Sequence, residues 1–205
     1  MYTRLLLPIL ATIGLLLSAG GVSAAVIEAT ASSFTGDPLS VSVTIDDEAD
    51  PGSLVITLSV DGSESTADLR GFFAHVADES LLAGLSVSGA SVGSATFAAN
   101  DVINLRRGNN LNGGGSLCPC DLGLEIGSPG IGSDDIQSVT FTLSHSTESL
   151  STSFLSGQAF GVRATSVGTY GSREGSSKLV GVVPEPSTSL LLLMGLAGLA
   201  GSRRR

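Results

Sequence analysis

The sequence predicts an all-β fold, an antiparallel β-sandwich, in the segment between two short apolar ends. Apolar and polar residues alternate in several short runs, such as Val41–Ile45 and Leu54–Val60. Gly- and Asp-rich turns separate these runs at intervals of about eight to twelve residues, a spacing typical of sandwiches. Helical signals are almost absent, because Ser, Gly, Thr, Val and Leu dominate while Lys, Gln and Met are few.

The same alternation orders the remaining strands along the chain. Val139, Phe141 and Leu143 fall on one face of their strand, and Phe160 and Val162 fall opposite Arg163. Turn chemistry bounds the runs at Asp50-Pro51-Gly52, Asp61-Gly62, Asn112–Gly115 and Ser128-Pro129-Gly130. The further predicted strands are Gly71–Val76, Leu82–Ser88, Ala95–Ala98, Val139–Ser144, Ala159–Thr165 and Lys178–Val182.

The N-terminus has the three parts of a signal peptide. Arg4 gives a minimal basic region, Leu5–Leu17 is apolar, and Val22-Ser23-Ala24 offers small residues at a cleavage site. We predict signal-peptidase cleavage after Ala24, with cleavage after Ala25 as the alternative. The other interpretation is a retained transmembrane helix, but Pro8 and Gly14 interrupt the apolar core and Gly20-Gly21 end it, which suits a signal peptide.

The C-terminus combines a rigid tripeptide, an apolar run and a basic end. Pro184-Glu185-Pro186 cannot continue a helix, because proline lacks the amide donor and restricts its predecessor to extended backbone. The apolar run from 190 to 200 predicts a membrane helix that the basic end holds on the cytoplasmic side. From Ser187 to Ser202 it would span only about 24 Å, against ~30 Å of hydrocarbon, which favours a temporary anchor. The anchoring residues are Leu190, Leu193, Leu196, Leu199, Arg203, Arg204 and Arg205.

This tail resembles the PEP-CTERM sorting signal of Gram-negative bacteria. The matching residues are Val183–Thr188, Leu190–Leu199 and Arg203–Arg205. The resemblance implies that an exosortase recognises Pro-Glu-Pro and processes the chain there. An exosortase is a membrane enzyme that, like a sortase, acts on a C-terminal sorting signal. The resemblance also implies a link to exopolysaccharide production, because exosortase substrates are often associated with it. The alternative is an ordinary C-terminal membrane anchor.

The two ends place the central segment outside the cytoplasm, since Arg4 and the terminal arginines both stay inside. The segment between the apolar ends contains six basic residues and all nineteen carboxylates of the chain, so its net charge is −13. Such an acidic segment excludes nucleic acid as a partner and favours solubility and divalent cations. We therefore divide the chain into a signal peptide (1–24), a β-sandwich body (25–182) and a sorting signal (183–205).

One motif in the body suggests hydrolase chemistry. Gly89-Ala90-Ser91-Val92-Gly93 matches the nucleophile-elbow pattern, in which Ser91 would be the nucleophile. That motif needs a strand-to-helix turn and a nearby histidine, and only His75 and His145 are available. No helix is predicted after Ser91, so the alternative interpretation is a Gly/Ser hairpin turn.

The two cysteines form the motif Cys118-Pro119-Cys120. In an exported chain we expect them to be oxidised, and a local disulfide would close a very small, strained ring. The alternatives are a metal site, a pairing between chains, or a redox role. The metal site lacks two further ligands nearby, and no thioredoxin-like pattern surrounds the motif.

Two acidic clusters are candidate metal ligands. The first comprises Asp46, Asp47 and Asp50, just after a strand, and the second comprises Asp134 and Asp135 after a Gly-rich loop. Ca²⁺ takes several carboxylate and carbonyl oxygens from flexible loops, although neither cluster has EF-hand spacing. The alternative is a pair of solvated turns.

Taken together, the sequence favours a non-enzymatic exported protein that reaches the cell envelope or extracellular matrix through an inner-membrane intermediate. The expected partners are signal peptidase, exosortase and exopolysaccharide, with no cofactor unless Ca²⁺ binds. The body has no Trp and, after signal removal, one Tyr, which argues against an aromatic carbohydrate platform. The alternatives are a calcium-dependent carbohydrate-binding module and a serine hydrolase that uses Ser91.

Overall fold

The computed structural model describes residues 25–63, 65–113, 119–128, 131, 133–169 and 171–185. This part of the chain forms ten strands and two short 3₁₀ helices, at Glu79–Gly84 and Thr152–Phe154. The strands are β1 Val26–Gly36, β2 Ser40–Asp46, β3 Leu54–Val60, β4 Thr66–Ala74, β5 Leu85–Ser88, β6 Val92–Val102, β7 Cys120–Ile126, β8 Ser138–His145, β9 Ala159–Thr169 and β10 Ser172–Val182.

All ten strands belong to one antiparallel sheet in the order β5-β8-β3-β2-β1-β10-β9-β4-β7-β6. The prediction of an all-β antiparallel fold is confirmed, but the two separate sheets of a sandwich are not formed. Hydrogen bonding runs without a break through β1, β10, β9 and β4, and bulges in these strands let the sheet bend. The end strands β5 and β6 contact each other, so the sheet curls into a barrel-like shape.

The main core fills the inside of the curled sheet. Val41, Val43 and Ile45 of β2 point inward, and the residues between them are more exposed. The same alternation in β3 and β8 confirms the faces predicted from the sequence. At the centre, the Phe72 ring lies 5.6 Å from the ring of Phe141 and 6.1 Å from that of Phe160, between centroids.

A second, smaller core lies on the outer face of the sheet beneath the segment 103–113. Phe73, Val102, Leu111 and Cys120 form it, so β4 is buried on both faces. The segment can lie this close because Gly71 has no side chain: a Cβ there would stand 2.4 Å from Oδ1 of Asn109. The same Asn109 donates from Nδ2 to the Arg70 carbonyl at 2.5 Å.

Several predicted strands are shorter than the observed ones; β6, for example, runs from Val92 to Val102 where Ala95–Ala98 was predicted. The strand predictions also differ from the structure in two further ways. The segment predicted as a strand at Leu82–Ser88 begins as the first 3₁₀ helix, because the Asp78 carboxylate caps it by accepting from the Ser80 amide at 2.9 Å. Strands β1 and β7 were not predicted.

Candidate functional site

The C-terminal exit of the body is well defined. Strand β10 ends at Val182, and the next residue, Val183, is 2 % exposed. Its amide donates to the Gln158 carbonyl at 3.0 Å, and its carbonyl accepts from the Gly157 amide at 2.8 Å. Pro184 and Glu185 follow directly and are exposed. The polar tripeptide therefore begins one residue after the last position at which the body holds the chain.

The rest of the predicted tail lies outside the described residues, including Pro186 and the anchoring residues Leu190, Leu193, Leu196, Leu199, Arg203, Arg204 and Arg205. In the described part of the chain, no helix is both long and apolar enough to cross a membrane.

A scan against protein-family models matched residues 182–205 to the PEP-CTERM protein-sorting motif. The chain carries a PEP-CTERM sorting motif. The match covers the tail, and it confirms the resemblance derived from Pro184-Glu185-Pro186. A PEP-CTERM motif implies an exported protein that exosortase processes. Neither the curated proteins nor the solved structures gave a match to the chain.

The body begins at the same end at which the PEP-CTERM tail leaves it. Ala24 lies outside the described residues, but Ala25 is held by Asp47, whose Oδ1 accepts from the Ala25 amide at 2.5 Å. The other carboxylate oxygen of Asp47 accepts from the Thr152 amide at 2.8 Å. Thr152 opens the second 3₁₀ helix, and the turn after it contains Gly157 and Gln158, which pair with Val183.

The remaining acidic candidates occupy ordinary structural positions. Oδ1 of Asp46 accepts from the amides of Glu48 and Ala49, and the carbonyl of Asp50 accepts from the Ser53 amide. In the second cluster, Oδ2 of Asp134 accepts from the Ser128 amide at 2.8 Å, and Asp135 forms a two-pronged ion pair with Arg173 at 2.5 and 2.7 Å. Among the described residues, no three His, Cys, Asp or Glu side chains are grouped so that they could hold a metal ion.

Ser91 lies in the turn between β5 and β6, where its carbonyl accepts from the Gly127 amide. Each histidine has other partners. Nδ1 of His75 lies 3.2 Å from Oδ2 of Asp121, while Nδ1 of His145 accepts from the Glu148 amide at 2.9 Å. Strand β6, and not a helix, follows Ser91, so the strand-to-helix turn that a nucleophile elbow requires is not formed.

Cys120 is buried at the start of β7 and is disulfide-bonded. Cys118, the chain's other cysteine, lies outside the described residues, so a Cys118–Cys120 bond stays a prediction.

Sequence reasoning missed the most unusual electrostatic feature of the body, the buried residues Asp68 and Arg70 of β4 beside the more exposed carboxylates of Asp134 and Asp135. Asp68 is fully buried, and its Oδ1 accepts from the Ile136 amide at 3.1 Å while Oδ2 has no hydrogen-bond partner. Oδ1 of Asp134 is also buried without a partner. Burial raises the pKa of Asp68, and the charges of Asp134 and Asp135 add to the rise.

Two arginines balance this charge. Arg70 is 7 % exposed and donates from one guanidinium nitrogen to the carbonyls of Ile126 and Ser128, at 2.5 and 2.6 Å. Its charge opposes the rise in the pKa of Asp68, as does the hydrogen bond from Ile136. The hydrogen bond from Arg173 lowers the pKa of Asp135. A charged Asp68-Leu69-Arg70 triplet within a strand was the sequence signal for this cluster.

A polar groove of about 430 Å³ lies between the β1–β2 turn and the β3–β4 connection. Its lining residues are Ser32, Ser33, Pro38, Leu39, Ser40, Asp61, Ser63 and Ser65. The hydroxyl of Ser33 bonds with the Leu39 amide at 2.9 Å, whereas the hydroxyls of Ser63 and Ser65 have no partner within the described residues. A smaller groove, of about 210 Å³, lies beside the second 3₁₀ helix.

Proposed function

We propose that this protein is a non-enzymatic component of the cell envelope or extracellular matrix, which exosortase processes within Pro184-Glu185-Pro186. The observation that carries the proposal is the PEP-CTERM match at residues 182–205. The exposure of Pro184 and Glu185 directly after the buried Val183 supports it, because a processing enzyme can reach an extended segment outside the fold. Signal peptidase removes residues 1–24, and the inner membrane holds the tail until exosortase acts.

We further propose that the body associates with exopolysaccharide through the polar groove. Hydroxyl and carboxylate groups at Ser63, Ser65 and Asp61 offer both donors and acceptors to sugar hydroxyls, and the groove is concave. The net charge of −13 between the apolar ends favours a neutral polysaccharide over an acidic one, because like charges repel.

The processing proposal is tested by the C-terminal peptide of the mature protein, read by mass spectrometry from a host that contains an exosortase. We expect the peptide to end within or near Pro184-Glu185-Pro186. Replacement of all three residues by alanine should leave the protein exported but uncut in the inner membrane. The control is Glu174→Ala, which removes an exposed carboxylate of β10 and should leave processing unchanged. A wild-type peptide that ends at Arg205 would show that the tail is only an anchor.

The groove proposal is tested by electrophoresis of the mature protein in gels that contain the exopolysaccharide of its host. Ser63→Trp places a large ring in the polar groove, and we expect it to abolish retardation by the polysaccharide. The matched control is Ser153→Trp, which fills the smaller groove. Equal retardation of the wild type and both variants would exclude the polar groove.

A further inference from the structure

We infer that Asp47 is the receptor for the new N-terminus of the mature protein, and that cleavage after Ala24 creates a partly buried ion pair between the Ala25 ammonium and the Asp47 carboxylate. The inference rests on the proposed export and on cleavage at this position. It gives Asp47 a role that its membership of the acidic cluster Asp46, Asp47 and Asp50 does not explain.

The first argument is geometric. The Ala25 nitrogen donates to Oδ1 of Asp47 at 2.5 Å, so a charge that forms on this nitrogen lies in direct contact with the carboxylate. The Asp47 amide in turn donates to the Ala25 carbonyl at 3.3 Å, so both sides of Ala25 are bound to the same residue. A nitrogen held in this way becomes an ammonium at the same place when the bond to Ala24 is hydrolysed.

The second argument concerns charge. Asp47 is 6 % exposed, and both of its oxygens accept from backbone amides, those of Ala25 and Thr152. Among the described residues, the two ion pairs are His75–Asp121 and Arg173–Asp135, so no side-chain cation balances Asp47. A buried carboxylate without a cation is unfavourable, and an ammonium at Ala25 supplies the missing charge.

The chemistry of the step balances. Signal peptidase adds water across the Ala24–Ala25 peptide bond, which gives a carboxylate on Ala24 and an amine on Ala25. The amine takes up a proton near neutral pH, because the ordinary pKa of an α-amino group is about 7.7–8.0 and a neighbouring carboxylate favours the charged form. Before cleavage the same nitrogen is a neutral amide that offers only one hydrogen.

Asp47 also links the new N-terminus to the residues from which the C-terminal tail emerges. Oδ2 of Asp47 holds the first residue of the second 3₁₀ helix, Thr152, and the turn that follows pairs with Val183 at the exit of the tail. Removal of the signal peptide therefore stabilises the end of the body from which the PEP-CTERM tail emerges.

The test compares two forms of the chain, one that begins at Ala25 and one that keeps Ser23-Ala24, both ending at Arg205. Each is released from a cleavable fusion and unfolded with urea in the same mild detergent. Each is studied as wild type and with Asp47→Asn. We expect Asp47→Asn to reduce the folding equilibrium constant about tenfold more in the chain that begins at Ala25, because a hydrogen bond between charged groups is stronger than one to an amide.

The matched control is Asp46→Asn, in the neighbouring residue, whose carboxylate accepts only from the amides of its own turn. It should change both forms equally. If Asp47→Asn also changes both forms equally, the ion pair does not exist. If Asp47→Asn does not fold, selective acetylation of the Ala25 amine gives the same answer: about a tenfold loss supports the pair, and no loss overturns it.

The N-terminal sequence of the exported protein is measured separately. A mature chain that begins at Ala25 supports the processing step. Any other first residue shows that cleavage does not create this ammonium in the cell, and that outcome overturns the inference even where the pair forms in the released chain. An intact PEP-CTERM tail in the same sample would refute exosortase processing without affecting the Asp47 pair.

Discussion

Two aspartates, Asp68 and Asp121, are equally buried, and replacing each by asparagine should change stability in opposite directions. Asp121 has full hydrogen bonding: Oδ1 accepts from the Asn100 amide at 2.7 Å, and Oδ2 accepts from the Val76 amide at 2.8 Å and faces His75 at 3.2 Å. Asp68 has one partner, the Ile136 amide, and one oxygen without any. At Asp121 the change to asparagine therefore removes an acceptor that backbone amides use. At Asp68 the same change removes a buried charge that has few partners.

The magnitudes follow from these partners. In Asp121→Asn, one oxygen becomes an NH₂ group that points at a backbone donor, so a hydrogen bond to a charged group is lost and an amide is left unsatisfied. We expect a loss of about 3 kcal/mol in the free energy of unfolding. In Asp68→Asn, the bond from Ile136 can be kept while the cost of burying a carboxylate with one unpaired oxygen disappears, and we expect a gain of about 1 kcal/mol. Part of that gain is offset because Arg70 loses a nearby negative charge.

The assay is urea unfolding of the mature protein at several pH values, in EDTA. With an m-value of about 2 kcal/mol/M, the two variants should have midpoints about 2 M apart at pH 7. Because burial raises the pKa of Asp68, this carboxyl binds its proton more tightly in the folded state, and its ionisation costs stability as the pH rises. The gain from Asp68→Asn should therefore be full above the folded-state pKa and shrink as the pH falls toward the ordinary value of 3.8.

A loss of more than 1 kcal/mol for Asp68→Asn at pH 7 would refute this reasoning, since it would mean that both oxygens of Asp68 have favourable partners. Repeating the urea unfolding in excess calcium shows whether a bound cation is the favourable partner of Asp68. A cation bound at Asp68 and Asp134 would make Asp68→Asn destabilising in calcium only, which would revive the calcium-dependent alternative.

Three further predictions concern other parts of the chain. Phe72→Ala should lower the free energy of unfolding by about 3–5 kcal/mol, because this fully buried ring packs against two others, and a loss below 1 kcal/mol in urea unfolding would contradict the packing. Replacement of Cys118 and Cys120 together by serine should cost little stability because the loop between them is tiny, so failure to fold would refute a purely local bond. Arg173→Gln should remove the acid sensitivity that comes from Asp135: its pKa is lowered in the fold, so its contribution is present near neutral pH and lost as the pH falls, and unchanged pH profiles would argue against the pair.

The strands with one buried and one solvated face could be predicted from the sequence. Leu54–Val60 is the clearest case, with the same bounds in the prediction and in the structure, because every second side chain enters the core. Strand β1 was not predicted because its inward positions include Ala29 and Ala31, whose small side chains give a weak apolar signal. Strand β7 does alternate, with Leu122, Leu124 and Ile126 on one face, so this strand could have been predicted from the sequence. The pattern could not show that Asp121 and Gly123 on the opposite face are buried as well.

The sorting signal could be predicted because its chemistry is local: Pro184-Glu185-Pro186 carries its own backbone restriction. The uses of Asp47, Asp68 and Asp121 could not, because their partners are distant in sequence. Thr152 lies 105 positions from Asp47, and Ile136 lies 68 from Asp68. Only the curled sheet brings these amides to the carboxylates.

The position of Val183 also determines how the processed domain is presented. If exosortase cleaves within Pro184-Glu185-Pro186, as proposed, at most three residues remain beyond Val183, a reach of about 10 Å. Two of those residues are prolines, so the stub is stiff as well as short. A group joined to that end would then lie close to the Gly157 side of the domain, with no flexible linker between them. Such an attachment would restrict the domain to a narrow range of orientations relative to that group.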